Sequence, residues 1–231
     1  MSPELKEFIN KNIDLINENS KESWESLYSI LLAINEAGLV GKFTKVILDS
    51  RINDPASILK FVPWGYLAQT EISKYTIPYG VIKLNGSSFL ECTKLQSISI
   101  PETVAHIYMS AFEGCIRLKN VVLPESLEEL HASAFRNCKN LQSINIPKKL
   151  KSIWNGTFYN SGLKSIVLHD FLETLGDGAF SSCKFLEYVE LHGLPSNYIG
   201  ENIFTDCPRL EKIICKFNYT PELEQLRKNS A

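Results

Sequence analysis

Leu118-Lys119-Asn120-Val121-Val122-Leu123-Pro124 runs on to Ala134-Phe135-Arg136-Asn137-Cys138, and this one stretch contains the rule that the middle of the chain obeys. Apolar residues stand at Leu118, Val121 and Leu123. A proline follows, then Leu127 and Leu130, then Phe135 and Cys138. The same order recurs on both sides. Phenylalanine falls at Phe89, Phe112, Phe135, Phe158, Phe180 and Phe204, with spacings of 23, 23, 23, 22 and 24. Three residues after each come Cys92, Cys115, Cys138, Ser161, Cys183 and Cys207. Further columns follow: Leu95 to Leu210, Ile98 to Ile213, Ile100 to Cys215, and a proline column of Pro78, Pro101, Pro124 and Pro147 that His169 and His192 continue. The single deletion falls at Ser161-Gly162 and the insertion near Gly193-Leu194-Pro195, between apolar columns where a loop absorbs them.

A unit of about 23 residues cannot bury its own apolar stripe, so stacking is required. The segment L-x-x-I-x-I alternates and predicts one short strand per turn, stacked in parallel at about 4.8 Å. The A-F-x-x-C segment predicts a short turn of helix. The expected fold is therefore an α/β solenoid of about six turns with short parallel strands. A degenerate half-repeat leads into it, with Tyr66, Ile72, Tyr75, Ile77 and Pro78 in the Phe, Leu, Ile, Ile and Pro columns and Gln69 in the cysteine column.

These columns resemble the BspA-like, or Treponema-type, leucine-rich repeat. The resemblance implies a scaffold used for interaction or adhesion, found in bacterial, phage and protist proteins. It covers about two-thirds of the chain.

The chain divides into an all-α N-terminal cap over residues 1–62, the solenoid over 63–217 including the half-repeat 63–78, and a capping helix with a polar tail over 218–231. Ser2-Pro3-Glu4 reads as a helix start. Leu5, Phe8, Ile9, Ile13 and Ile16 then follow helical spacing, and Trp24, Leu27, Leu31 and Ile34 mark a second helix. This region is either a cap on the first turn or a recognition module of its own. Thr220-Pro221-Glu222 restarts a helix at the other end.

Composition narrows the function. Of 231 residues, 24 are basic and 26 acidic, for a net charge of −2, which argues against a nucleic-acid partner. The longest apolar run, Ile30 to Ile34, is far too short to insert in a membrane. The N-terminus lacks a basic region followed by an apolar one, so a cytoplasmic location is expected. No phosphate-binding loop, nucleophile elbow or zinc-protease motif is present, so a non-catalytic protein without cofactor or metal is expected. Six cysteines without C-x-x-C read as buried structural thiols. His169 and His192 share a column, but two histidines alone make a poor metal site.

Two surfaces stand out as candidate protein-binding sites. On the exposed side of the strands, Val122, Val167, Tyr188, Glu190 and Ile214 break a series of small polar residues. Before the Phe turn, one column reads Asn85, Tyr108, His131, Trp154, Gly176, Gly200. The repeat pattern usually has glycine there, so Tyr108, His131 and Trp154 would form a ladder of rings. That ladder is either self-packing or a surface for a partner. The expected role is a monomeric protein-binding scaffold. The lead-in Pro63-Trp64-Gly65-Tyr66-Leu67 resembles small repeat proteins of gut bacteria and their phages, which implies an adaptor or inhibitor of a host protein. The alternative is a cell-surface adhesin or host-matrix-binding module.

Overall fold

The computed structural model describes residues 61–62 and 65–216. The expected N-terminal and C-terminal helices lie outside the described residues. The rest is a solenoid of parallel strands, each two to four residues long.

Each turn carries two strands, not the single one expected. The L-x-x-I-x-I segments form β2 (Lys74–Thr76), β4 (Ser97–Ser99), β6 (Asn120–Val121), β8 (Ser143–Ile144), β10 (Ser165–Leu168), β12 (Tyr188–Leu191) and β14 (Lys212–Cys215). After the proline corner, a second set forms: β1 (Phe61–Val62), β3 (Lys83–Leu84), β5 (His106–Ile107), β7 (Glu129–Leu130), β9 (Ser152–Ile153), β11 (Thr174–Leu175) and β13 (Tyr198–Ile199). The second set makes one continuous seven-stranded sheet, ordered β1-β3-β5-β7-β9-β11-β13. The first set is divided into β2-β4, β6-β8 and β10-β12-β14. Asn145 shortens the ladder within the β6-β8 pair. Its Oδ1 accepts from the Leu123 N–H at 2.7 Å and its Nδ2 donates to the Leu123 carbonyl at 2.8 Å. A side-chain amide there stands in for the backbone ladder.

No helix occurs among the described residues. The A-F-x-x-C segment is instead a corner whose backbone bonds run between turns. The N–H groups of Ser87, Phe89 and Glu91 donate to Met109, Ala111 and Glu113 of the next turn at 3.0, 2.8 and 2.7 Å. The alternate N–H groups of Ser88 and Leu90 close local turns onto Asn85 and Ser87. A helix would need all of them for bonds to i−4. The alternation is produced by two left-handed positions around each Phe. The first holds Gly65, Ser87, Ser110, Ser133, Gly156, Gly178 and Asn202, with φ between 55° and 60°. The second holds Gln69, Glu91, Gly114, Asn137, Asn160, Ser182 and Asp206, with φ between 53° and 73°. Glycine and asparagine tolerate this region best, and they or other small polar residues fill most of these sites.

The same bonds correct the register of the first half-repeat. The Leu67 N–H donates to Ser88 just as the Phe89 N–H donates to Ala111. Leu67, not Tyr66, therefore occupies the Phe column. Thr70, not Gln69, occupies the cysteine column, with its Oγ1 at 3.6 Å from Cys92 Sγ. The deletion seen at Ser161-Gly162 is also present here, which is why a 23-residue spacing misplaces the first turn.

The core is a set of stacked columns. The six phenylalanines of the repeat column, Phe89 to Phe204, are fully buried. Successive rings lie 5.0 to 5.8 Å apart with interplanar angles of 6° to 18°. Tyr75 covers the N-terminal end of the pile at 5.4 Å from Phe89. The column thiols bond back to the previous turn: the Cys115 and Cys138 sulfhydryls donate to the Phe89 and Phe112 carbonyls at 3.1 Å. Burial pushes the Cys138 thiol far above its usual range. All six cysteines are free thiols, in keeping with a structural role.

Replacing Phe135 by alanine is expected to remove about 3–5 kcal/mol of stability. Phe135→Leu is expected to cost only about 1 kcal/mol, because Leu67 already fills that column. Chemical denaturation of both variants measures the difference.

Candidate functional site

The seven-stranded sheet positions the ring ladder. The N–H groups of Asn85, Tyr108 and His131 donate to Val62, Leu84 and Ile107 of the previous turn at 2.9, 2.9 and 3.0 Å. Each ladder residue thus hangs from the strand before it, one turn apart. The rings do meet. Tyr108 and His131 have centroids 4.7 Å apart, and His131 and Trp154 are 6.3 Å apart and nearly parallel at 17°. His106, on β5, extends the row to four rings, with its centroid 6.2 Å from Tyr108. Trp154 is 44% exposed and Tyr108 and His131 are half-buried, so the row has an open face.

A carboxylate lies within this row. Glu129 Oε2 accepts from His106 Nδ1 at 2.9 Å and from His131 Nε2 at 3.3 Å. Partial desolvation works to raise the Glu129 pKa, but the two imidazole hydrogen bonds outweigh it and hold the carboxyl below its ordinary value. Sequence reading missed His106 and Glu129. The signal was present, because both sit two residues before a ladder position in their own turns.

The ladder stops at Trp154 for a steric reason. A Cβ on Gly176 would lie 2.6 Å from the Trp154 carbonyl carbon and 2.5 Å from the Asn155 nitrogen, and Gly200 is confined in the same way by Gly176 and Asp177. These last turns use a different corner. Asn155 Oδ1 accepts from the Asp177 N–H at 3.0 Å, and Asp177 Oδ1 accepts from the Glu201 N–H at 2.9 Å. The backbone is drawn close by that bonding, and no side chain fits at the ladder position.

The second candidate surface is only partly brought together. The registers Ser165↔Tyr188↔Lys212 and Val167↔Glu190↔Ile214 place Val167, Tyr188, Glu190 and Ile214 side by side on β10, β12 and β14. Val167 and Ile214 are exposed. Glu190 is held by the Tyr188 hydroxyl, by His192 Nε2 at 2.8 Å and by Lys216 Nζ at 3.6 Å. The Tyr188 hydroxyl, then His192, lower its pKa. Val122 does not join them. It is the most exposed of the group at 75%, but the turn carrying Asn145 separates it from Val167.

His169 and His192 diverge despite their shared column. His169 is buried: its Nδ1 accepts from the Phe171 N–H at 3.2 Å, so its Nε2 carries the proton and donates to the Pro147 carbonyl at 2.9 Å. Desolvation lowers its pKa and keeps it neutral. Its role is to close the corner that proline closes elsewhere. Among the described residues, no group of three or more histidine, cysteine, aspartate or glutamate side chains is placed to hold a metal ion, and no helix is long and apolar enough to cross a membrane.

Comparison with known proteins identifies the repeat. The profile described as "BspA type Leucine rich repeat region (6 copies)" matches residues 62–187 and 105–223. The chain belongs to the BspA-type leucine-rich-repeat family. Among solved structures, it is similar to a leucine-rich repeat protein from Bacteroides ovatus, at 26% identity and a TM-score of 0.63, over 68% of this chain and 41% of that one. The chain therefore spans about two-fifths of that protein's length. It is also similar in fold to a leucine-rich repeat protein of T. pallidum, at 24% identity and a TM-score of 0.56, over 72% of this chain and 86% of that one. No protein of curated function matches the sequence. The family accounts for the columns and leaves the ladder unexplained.

Two predictions follow from the geometry. Gly176→Ala should destabilise the fold by about 1–3 kcal/mol, read by chemical denaturation, because backbone atoms of Trp154 and Asn155 obstruct the new Cβ. Glu129 has a depressed pKa in the folded state. Its contribution is therefore present above the ordinary carboxylate pKa and is lost as pH falls through the folded value. Melting temperature should accordingly fall less steeply below about pH 4.3 in Glu129→Gln than in the unsubstituted protein.

Proposed function

We propose that this BspA-type chain is a non-catalytic protein-binding scaffold whose partner docks on the edge formed by Tyr108, His131 and Trp154. The observation that carries the reading is the open row of rings with a carboxylate set into it. Tyrosine and tryptophan supply large contact area at low entropic cost and dominate interface energetics. Met109, 51% exposed and next to Tyr108, adds an adaptable apolar neighbour. Glu129, held by two imidazoles, offers a fixed acceptor to a donor on the partner. The solenoid presents all of this on a stiff support, so little order is lost on binding. In this reading the chain acts as an adaptor or inhibitor of a host protein.

The test uses the full chain as bait in extract of the source cell, alongside Tyr108→Ala/Trp154→Ala. A protein recovered in stoichiometric amount by the unsubstituted chain should fall by about tenfold or more with the variant. Undiminished recovery, or recovery of a small molecule with no protein, would overturn the reading.

A further inference from the structure

A second surface runs along a different corner, between the cysteine column and the strands β4, β6, β8 and β10. Lys94, Arg117, Lys119, Lys139 and Lys164 lie there on four successive turns, and no acidic residue falls on those turns at this corner. Arg117, Lys119, Lys139 and Lys164 are exposed. Lys94 has one weak ion pair, 3.9 Å from Glu71. Among the described residues, the other four have no salt bridge. The corner after the proline is different. There Lys149 and Lys151 meet Glu128 and Glu173 at 3.9 and 3.3 Å, and charges of both signs mix. The chain's near-neutral total therefore conceals a strip of one sign.

The strip is held rigidly. An unbroken series of backbone bonds runs under it from turn to turn: Gln96 to Ser73 at 2.8 Å, Lys119 to Gln96 at 3.4 Å, Gln142 to Lys119 at 2.7 Å, Lys164 to Gln142 at 3.3 Å, and Glu187 to Lys164 at 2.9 Å. Successive cations therefore repeat at the spacing of stacked strands, and the strip is about 15 Å long. Exposed amides of Gln96 and Gln142 alternate with Lys119 and Lys164 in the same column. Asn140 donates to the Ile116 carbonyl at 2.5 Å, which leaves its own oxygen as an acceptor.

We propose that this strip binds a linear acidic polysaccharide, its carboxylates or sulfates on the cations and its hydroxyls on the amides. Narrow and aligned with the solenoid axis, the strip fits a chain better than a membrane plane. Single-stranded nucleic acid needs aromatic faces for its bases. The aromatic ring on the next turn of this corner, Phe185, is 45% exposed, but the Arg209 guanidinium stands over one face at 5.2 Å. The site is separate from the ring ladder and stands or falls independently of it.

The test measures binding of a heparin oligosaccharide to the full chain by calorimetry across a salt series. Affinity should fall with salt at a log–log slope of about −2 to −3, the mark of a few ionic contacts. Arg117→Glu/Lys119→Glu/Lys139→Glu should weaken binding by about tenfold or more. Lys148→Glu/Lys149→Glu/Lys151→Glu makes the same change in net charge at the corner after the proline and should alter binding by less than about twofold. Thermal melting checks that each variant folds. Should charge reversal unfold the chain, Arg117→Gln/Lys119→Gln/Lys139→Gln replaces it, with the same expected direction. Tyr108→Ala/Trp154→Ala should bind the oligosaccharide normally. Absence of binding at about 50 mM salt, equal loss in the two charge-reversal sets, or tighter binding to a single-stranded oligonucleotide or to anionic phospholipid vesicles would each overturn the proposal.

Discussion

The structure depends on the contact between one phenylalanine ring and the next. No single turn has enough apolar surface to exclude water from its own ring. Stacked at 5.0 to 5.8 Å, each ring is covered by its neighbours, and the pile from Phe89 to Phe204 is dry throughout. The backbone must match that spacing, which it does by sending alternate N–H groups across to the next turn. Two left-handed residues per corner make that alternation possible. Ring stacking, left-handed corners and inter-turn bonding are thus one solution to one problem: how a 23-residue unit hides a side chain as large as Phe.

Much of this was legible in the sequence, because side-chain burial leaves a mark at fixed spacing. The columns, the stacking and the first set of strands could all be read from apolar residues. The second set was missed although its Val-x-x-Ile spacing resembles the first, because two-residue strands give too little alternation to declare themselves. The corner was misread as helix. Ala111-Phe112 and Ala134-Phe135 favour helix locally, and the competing signal was the small polar residue two places to either side of Phe. Ser133 and Asn137 around Phe135 show it well. Tyr66 was assigned to the Phe column because it is aromatic, whereas hydrogen bonding places Leu67 there. The expected ladder did form, because any column residue in a solenoid meets its counterpart one turn away. The company it keeps was missed although its spacing was legible, since Glu129 and His106 belong to a column that carries no apolar pattern.

The two proposed binding surfaces lie where the repeat permits variation. Columns inside the pile vary little in size, from Phe to Leu and from Cys to Ser or Thr. The position before the Phe corner has two solutions. Where the backbone draws close, as at Gly176 and Gly200, only glycine fits. Where it does not, a side chain is optional, and three consecutive turns carry large rings. The basic strip follows the same logic on another corner, where the residues flanking the buried Leu118 and Leu141 are free to vary. A scaffold of this type can therefore carry two separate surfaces without altering its core.

The central claim is that the rings at Tyr108, His131 and Trp154 serve recognition and that the fold does not require them. The most direct measurement is the unfolding free energy of Tyr108→Asn/His131→Asn/Trp154→Asn, which installs at each turn the residue that Asn85 already provides in the same column. Loss of the three ring contacts joining His106, Tyr108, His131 and Trp154 is expected to lower stability by no more than about 3 kcal/mol. A loss of about 4 kcal/mol or more, comparable to removing a ring from the buried pile, would contradict the account and make the ladder a structural element.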